Sequence, residues 1–114
     1  MSERATKILF VCSRNEWRSP TAEAIYRRVS GIDARSAGTS PKARVQISAK
    51  QIEWADIIFV MEKRHRQILQ QRFARETLDA KVVCLDIPDE YQFMDEELIT
   101  TIKDRVQAYI AAPL

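Results

Sequence analysis

Glycine and proline are scarce, with two glycines and four prolines in 114 residues. So little turn-forming material argues against a loop-rich β-sandwich and for regular helices and strands. Cysteine is also sparse, and two residues cannot make a disulfide framework. MSERATKILFVC has charge before a short apolar run but no small-residue cleavage site, so no export signal is read and both thiols are expected reduced, in the cytoplasm. No apolar run approaches the roughly 18 residues of a membrane span, so no membrane partner is expected. The single histidine joins no metal-ligand spacing, and neither metal nor cofactor is expected. The basic tracts lack interleaved aromatics, which excludes a nucleic-acid groove from the expectations. What is present is ordinary for a globular protein: 46% apolar and 30% charged residues. Residues 1–114 are expected to form one monomeric domain, flexible over 1–6, whose core suffices without disulfide or metal.

Charge is unevenly placed. Residues 1–78 hold 15 Lys/Arg and 8 Asp/Glu, whereas residues 79–114 hold 3 and 8. Such a split fits an anionic ligand on a basic body with carboxylates brought from the C-terminal third. It fits equally two differently solvated surfaces.

Lys7–Cys12 is a short continuous apolar run, the mark of a strand buried on both faces of a parallel sheet. Residues 55–61 and 81–85 repeat the pattern, and Asp33–Ser36 is a weaker candidate. Ser19-Pro20 reads as a helix N-cap and first helical position, followed by the stripe Ala22, Ile25, Tyr26 and Val29 and ended by Gly31. Residues 38–50 read as loop with one helical turn. Lys63–Arg75 has Ile68, Leu69 and Phe73 on one side and basic residues elsewhere. A last helix is predicted over Asp95–Ile110, with Leu98, Ile102, Val106 and Ile110 inward and acidic residues in its first turn. Alternating strands and helices predict an α/β sandwich on a four-stranded parallel sheet.

In open α/β sheets ligands bind beyond the carboxyl ends of the strands. Cys12 lies at such an end, and Ser13-Arg14-Asn15-Glu16-Trp17-Arg18 leads from it into a helix. A loop entering a helix N-terminus turns N–H groups inward and adds the positive end of the helix dipole, which suits an anion. Thiols in such fields react as thiolates, and the planar fork of Arg18 matches two phosphate oxygens. A nucleophile facing bound phosphate suggests covalent phosphoryl transfer. The local pattern equally allows Cys12 as a small buried apolar residue and Arg18 as a surface charge.

The stretch Val11–Ala24 resembles the phosphate-binding loop and first helix of low-molecular-weight protein tyrosine phosphatases. Ser36-Ala37-Gly38-Thr39, Ala55–Glu62 and Ile87-Pro88-Asp89-Glu90-Tyr91 are similar to later segments of that family, in the same order. The resemblance implies a three-layer, phosphotyrosine protein phosphatase I-like sandwich and hydrolysis through a phosphocysteine, without cofactor. It implies Cys12 as nucleophile, Arg18 as the holder of phosphoryl oxygens and Ser19 as hydrogen-bond donor to the thiolate. Asn15 would hold the shape of a phosphate-binding loop made of Ser13, Arg14, Asn15, Glu16 and Trp17. Asp89, rather than its neighbours Asp86 or Glu90, would be the general acid, and Tyr91 an aromatic wall. Substrates would be a phosphorylated protein or a small aryl phosphate, with phosphoarginine also open.

Several positions depart from that family. Arg14 replaces a glycine, Trp17 a second loop cysteine, and Glu90 the proline after the general acid. A deletion falls between Thr39 and Pro41, removing part of the substrate wall. Pro41 also stands where many members have a histidine that braces the loop through Asn15. These departures keep a non-hydrolysing, phosphopeptide-binding module as the alternative function. An arsenate reductase would need further cysteines where Val60-Met61-Glu62-Lys63 stands, and a cysteine phosphocarrier is disfavoured by Arg18 and Asp89. Cys84 and Trp54 are expected to be structural, His65 a surface or partly packed residue, and the charges of Lys63–Arg75 a solvated face.

Overall fold

The computed structural model describes residues 5–110. Along the chain run β1 (Thr6–Cys12), α1 (Arg18–Tyr26), β2 (Ile32–Gly38), α2 (Ala49–Trp54), β3 (Ile57–Val60), α3 (Lys63–Arg72), α4 (Ala74–Thr77), β4 (Val82–Cys84) and α5 (Glu96–Val106). The four strands form one parallel sheet in the order β2-β1-β3-β4. Alternate residues of the central strands feed two separate cores. Ile8, Phe10 and Cys12 with Ile57, Phe59 and Met61 pack beneath Ala22 and Tyr26 of α1 and Leu98, Ile102 and Val106 of α5. Leu9, Val11, Ile58 and Val60 face the other way, onto Ile52 of α2 and Leu69 of α3. The result is the expected three-layer sandwich.

The chain leaves β1 for β2 on one side and then crosses to β3 on the other. The loop after β1 therefore lies where the strand order reverses, at the crevice that open α/β sheets use for ligands.

Several boundaries differ from expectation. Helix α1 starts at Arg18, with Trp17 at its N-cap and no side-chain cap. Ser19 is thus inside the helix, fully buried, and Pro20 falls in the first turn, where a missing N–H costs nothing. Helix α1 ends at Tyr26; Gly31, at φ +85°, instead turns the chain into β2. Helix α2 follows the loop and is started by a Ser48–Gln51 capping box. The basic segment breaks at Phe73 (φ −131°, ψ 50°), whose ring packs on the α2/α3 core. Helix α5 stops at Val106, although Ile110 still packs against the core. Arg66 and Arg72 are not purely solvated, since they donate to Val82 O (3.1 Å) and Thr39 O (2.8 Å). Of the stretch expected to be flexible, residues 1–4 lie outside the described residues, and Thr6 already donates its N–H to Gly31 O at 2.8 Å.

Phe10 stacks between Tyr26 (5.7 Å) and Phe59 (5.6 Å). The Tyr26 hydroxyl is buried with no partner among the described residues, and burial pushes its phenol up to about 12. A buried hydroxyl without a partner costs about 1–3 kcal/mol. Tyr26→Phe is therefore expected to raise stability by about 1 kcal/mol in urea unfolding, and a comparable loss would show that the hydroxyl is satisfied.

Candidate active site

The loop after β1 is shaped by one residue in the left-handed region, Asn15 at φ 57°. Asparagine tolerates this conformation better than most residues. The turn brings the Asn15 N–H to Cys12 Sγ at 3.3 Å. The Asn15 side-chain amide donates to Ser19 Oγ (2.8 Å) and Ser36 Oγ (2.9 Å), and the Ser36 hydroxyl in turn donates to Glu23. With that amide donating to Ser19, the Ser19 proton is directed to Cys12 Sγ at 2.9 Å. The other candidate acceptor, Ala37 O, is 3.4 Å away. Arg14 has no positive φ, so the loop does not need glycine there.

The end of β2 presses directly on this loop. Thr39 N and Ser40 N donate to Cys12 O (3.0 Å) and Ser13 O (2.9 Å), and Arg44 N donates to Arg14 O (3.1 Å). A Cβ on Gly38 would lie 2.5 Å from Ser13 O and 2.6 Å from Ala43 Cβ. Gly38 is required for this approach.

Arg18 is the other pole of the site, only 2% exposed. Its Nη1 donates to Glu62 Oε1 at 2.6 Å and to Ile87 O at 2.9 Å. Its Nε lies 3.6 Å from Asp89 Oδ1, and Nη2 has no protein partner among the described residues. Burial pushes the Glu62 carboxyl up, but hydrogen bonds from Arg18 and Arg64 outweigh it and hold the group below its ordinary value. A cavity of about 190 Å³ is lined by Cys12, Arg14, Glu16, Trp17, Arg18 and Asp89. Arg14 lies outward and pairs with Glu16 at 3.2 Å. Trp17, 41% exposed, supplies the cavity's aromatic surface. Among the described residues no group of three His, Cys, Asp or Glu could hold a metal.

The model of the family described as low molecular weight phosphotyrosine protein phosphatase matches residues 7–52. The protein-arginine-phosphatase of Bacillus subtilis (strain 168) is 27% identical, with 60% of this chain and 63% of that protein covered. The chain thus spans under two thirds of that relative's length. Among solved structures, Vibrio vulnificus Wzb in complex with benzylphosphonate superposes with TM-score 0.71 at 24% identity, covering 91% of this chain and 96% of that one. The low-molecular-weight protein tyrosine phosphatase from Streptococcus pyogenes gives 0.72 at 19%, covering 92% and 93%. The arginine phosphatase from Geobacillus stearothermophilus gives 0.67 at 23%, covering 90% and 91%. At these identities the structural likeness is one of fold.

Residues 7–52 thus resemble the low-molecular-weight phosphotyrosine protein phosphatase family, and the chain shares the fold of solved structures of that type.

The structure gathers Cys12, Arg18, Asp89, Arg14, Glu16 and Trp17 around one cavity, with Asn15 and Ser19 buried beneath it. Ser13 contributes from behind, through its hydroxyl. Tyr91 is elsewhere: it does not line this cavity and packs, half-buried, on the α1/α5 core. The turn at Asp86 (φ 57°) leaves that residue outside the cavity lining, with its carbonyl accepting from Arg105. Asn15 Oδ1 is buried with no partner among the described residues.

The residue that sequence reasoning missed is His65. It is fully buried, not a surface residue on a basic helix. Glu62 N donates to its Nδ1 at 3.0 Å, which leaves Nε2–H to donate to Ser13 Oγ at 2.9 Å. The spacing Glu62–His65 at the end of a buried strand is an N-cap pattern, and that was the available signal. Burial first, then the charges of Arg18 and Arg64, push the imidazole down to about 4.

Two predictions follow from these contacts. Gly38→Ala must displace the loop backbone, so it is expected to cost about 1–3 kcal/mol of stability and to lower phosphate affinity measured by titration. The pH dependence of folding tests His65. The folded imidazole stays neutral down to about pH 4, while in the unfolded chain it takes a proton near 6.5. Stability from this group is complete above about 6.5 and is lost as pH falls toward 4, by about 3 kcal/mol. His65→Gln is expected to flatten the urea-stability profile in that window, and an unchanged slope would show that His65 is not buried neutral.

Proposed function

We propose that this protein is a cysteine-dependent phosphomonoester hydrolase of the protein tyrosine phosphatase type. The observation that carries this reading is one cavity shared by Cys12, Arg18 and Asp89, with Ser19 and Asn15 N directed at the sulfur. Phosphate oxygens sit against the loop N–H groups and the fork of Arg18, whose plane is fixed by Glu62 and Ile87 O. In the first step Cys12 Sγ attacks phosphorus in line, the S–P bond forms, and the P–O bond to the leaving group breaks. Asp89 passes its proton to the departing oxygen. In the second step the Asp89 carboxylate takes a proton from water as that oxygen attacks phosphorus. The S–P bond breaks, inorganic phosphate leaves and the thiolate returns, stabilised by the Ser19 hydroxyl. Positioning and charge neutralisation supply most of the acceleration, as is general for phosphoryl transfer.

The substrate we infer is phosphotyrosine on a protein, or a small aryl phosphate, acted on by a cytoplasmic monomer. Among the described residues no helix is long and apolar enough to cross a membrane. Trp17 supports an aryl substrate as a flat surface for its ring. A second reading, phosphoarginine, is favoured by the carboxylate of Glu16 beside that indole, since a guanidinium suits both groups.

Hydrolysis of para-nitrophenyl phosphate without metals tests the assignment. Cys12→Ser is expected to abolish turnover and Asp89→Asn to lower kcat by roughly 10²- to 10⁴-fold. Parallel assays on phosphotyrosine and phosphoarginine peptides separate the two substrate readings. A folded wild type that binds phosphopeptide without releasing phosphate would make the protein the binding module instead.

A further inference from the structure

A second cavity, of about 360 Å³, adjoins the phosphate pocket. Glu16 lines both, so it forms the wall between them. Pro20, Glu23, Ala24 and Arg27 also line the second cavity. Their i, i+3, i+4, i+7 spacing makes them one stripe of α1 and its C-cap. Phe93 and Arg44 close it from two other segments. Phe93 comes from the same β4–α5 loop that carries Asp89, and its ring is 53% exposed. That loop is tied to α1, because Met94 N donates to Thr21 Oγ1 at 2.9 Å. The groove is thus bounded by the elements that frame the phosphate pocket.

Its charges are unevenly satisfied. Glu23 accepts from Arg27 at 2.8 Å and from Ser36, and Glu16 pairs with Arg14. Arg44 donates Nε to Asn15 O at 3.2 Å, and no carboxylate pairs with it among the described residues. The groove therefore offers an apolar patch of Pro20, Ala24 and Phe93 beside one guanidinium lacking a counter-charge. A small aryl phosphate would leave all of this unused.

We propose that this groove holds the peptide segment flanking the phosphorylated residue, with an apolar side chain against Phe93, Pro20 and Ala24 and a carboxylate at Arg44. The inference rests on the phosphatase reading of the neighbouring pocket and narrows it to a protein substrate with apolar and acidic residues beside the phosphorylated one. Continuity through Glu16 and the charge of Arg44 select this occupant. Large flat side chains such as Phe93 are common anchors for such segments.

The test compares two phosphotyrosine peptides, one with leucine and glutamate on each side of the phosphorylated residue and one with glycine and lysine there. Wild type is expected to favour the first by tenfold or more in kcat/KM, mostly through KM. Phe93→Ala and Ala24→Arg are each expected to remove that preference while leaving para-nitrophenyl phosphate hydrolysis unchanged. Equal kcat/KM for the two peptides, or a preference that survives both substitutions, overturns the proposal. Loss of para-nitrophenyl phosphate hydrolysis in wild type would overturn the phosphatase reading instead. Binding of the same peptides to Cys12→Ser then reads the groove directly, with a tenfold difference in Kd expected and equal Kd values against it.

Discussion

A guanidinium buried as deeply as that of Arg18 has to be matched by acceptors, because an unpaired charge in a protein interior costs several kcal/mol. The acceptors come from segments far apart in sequence: Glu62 after β3 and the carbonyl of Ile87 after β4, with Asp89 close by at 3.6 Å. All of them lie at the carboxyl end of the parallel sheet. Satisfying one charge thus draws the β3–α3 junction and the β4–α5 loop against the loop after β1. It also fixes the plane of the guanidinium in advance, which is where preorganised electrostatics has its effect in the proposed reaction. The same contacts place the Asp89 carboxylate over the sulfur's cavity instead of elsewhere on an acidic surface.

The phosphate loop is held by a second set of contacts that is largely independent. Asn15 in the left-handed region links Ser19, Ser36 and, through Ser36, Glu23, while His65 holds Ser13 from behind. Glu62 belongs to both sets, since its carboxylate receives Arg18 and its N–H caps His65. This shared residue explains why His65 must stay neutral: a proton on Nδ1 would displace the Glu62 N–H and add charge beside Arg18 and Arg64. Arg14 is tolerated because the positive φ sits at Asn15, one residue later.

Much of this was legible in the chain. Continuous apolar runs marked β1 and β3, since strands buried on both faces need apolar residues at every position. Cysteine at the end of one such run, six residues before an arginine and next to a helix, located the pocket. The helix start was misplaced at Ser19 because a Ser-Pro pair imitates a cap. Here the Ser19 hydroxyl is turned to a thiol instead of a backbone N–H, and only tertiary structure decides between those partners. The burial of His65 was hidden by its basic neighbours Lys63, Arg64 and Arg66, which suggested a solvated helix face. Tyr91 was assigned to the cavity through the resemblance, yet its ring finishes the α1/α5 core while Trp17 takes the pocket. Choosing between two aromatics requires knowing where a loop bends, and the Asp86 and Met94 turns that bend it carry no glycine to mark them.

The backbone of segment 39–44 braces the loop through Thr39 N, Ser40 N and Arg44 N, and of its side chains Arg44 alone lines the adjoining groove. The rim of the first cavity is supplied by the loop after β1 itself, through Arg14, Glu16 and Trp17. Glu16 therefore has two roles at once, as wall of the phosphate pocket and as wall of the adjoining groove. In such an arrangement the rim residues lie two to five positions from Cys12. Their side chains can vary without disturbing the loop only because its shape is set from beneath, by Asn15, Ser19, Ser36 and His65. Under the proposed function, catalysis and selection are separated by side of the loop, its inner face serving the sulfur and phosphate and its outer face serving whatever carries the phosphate.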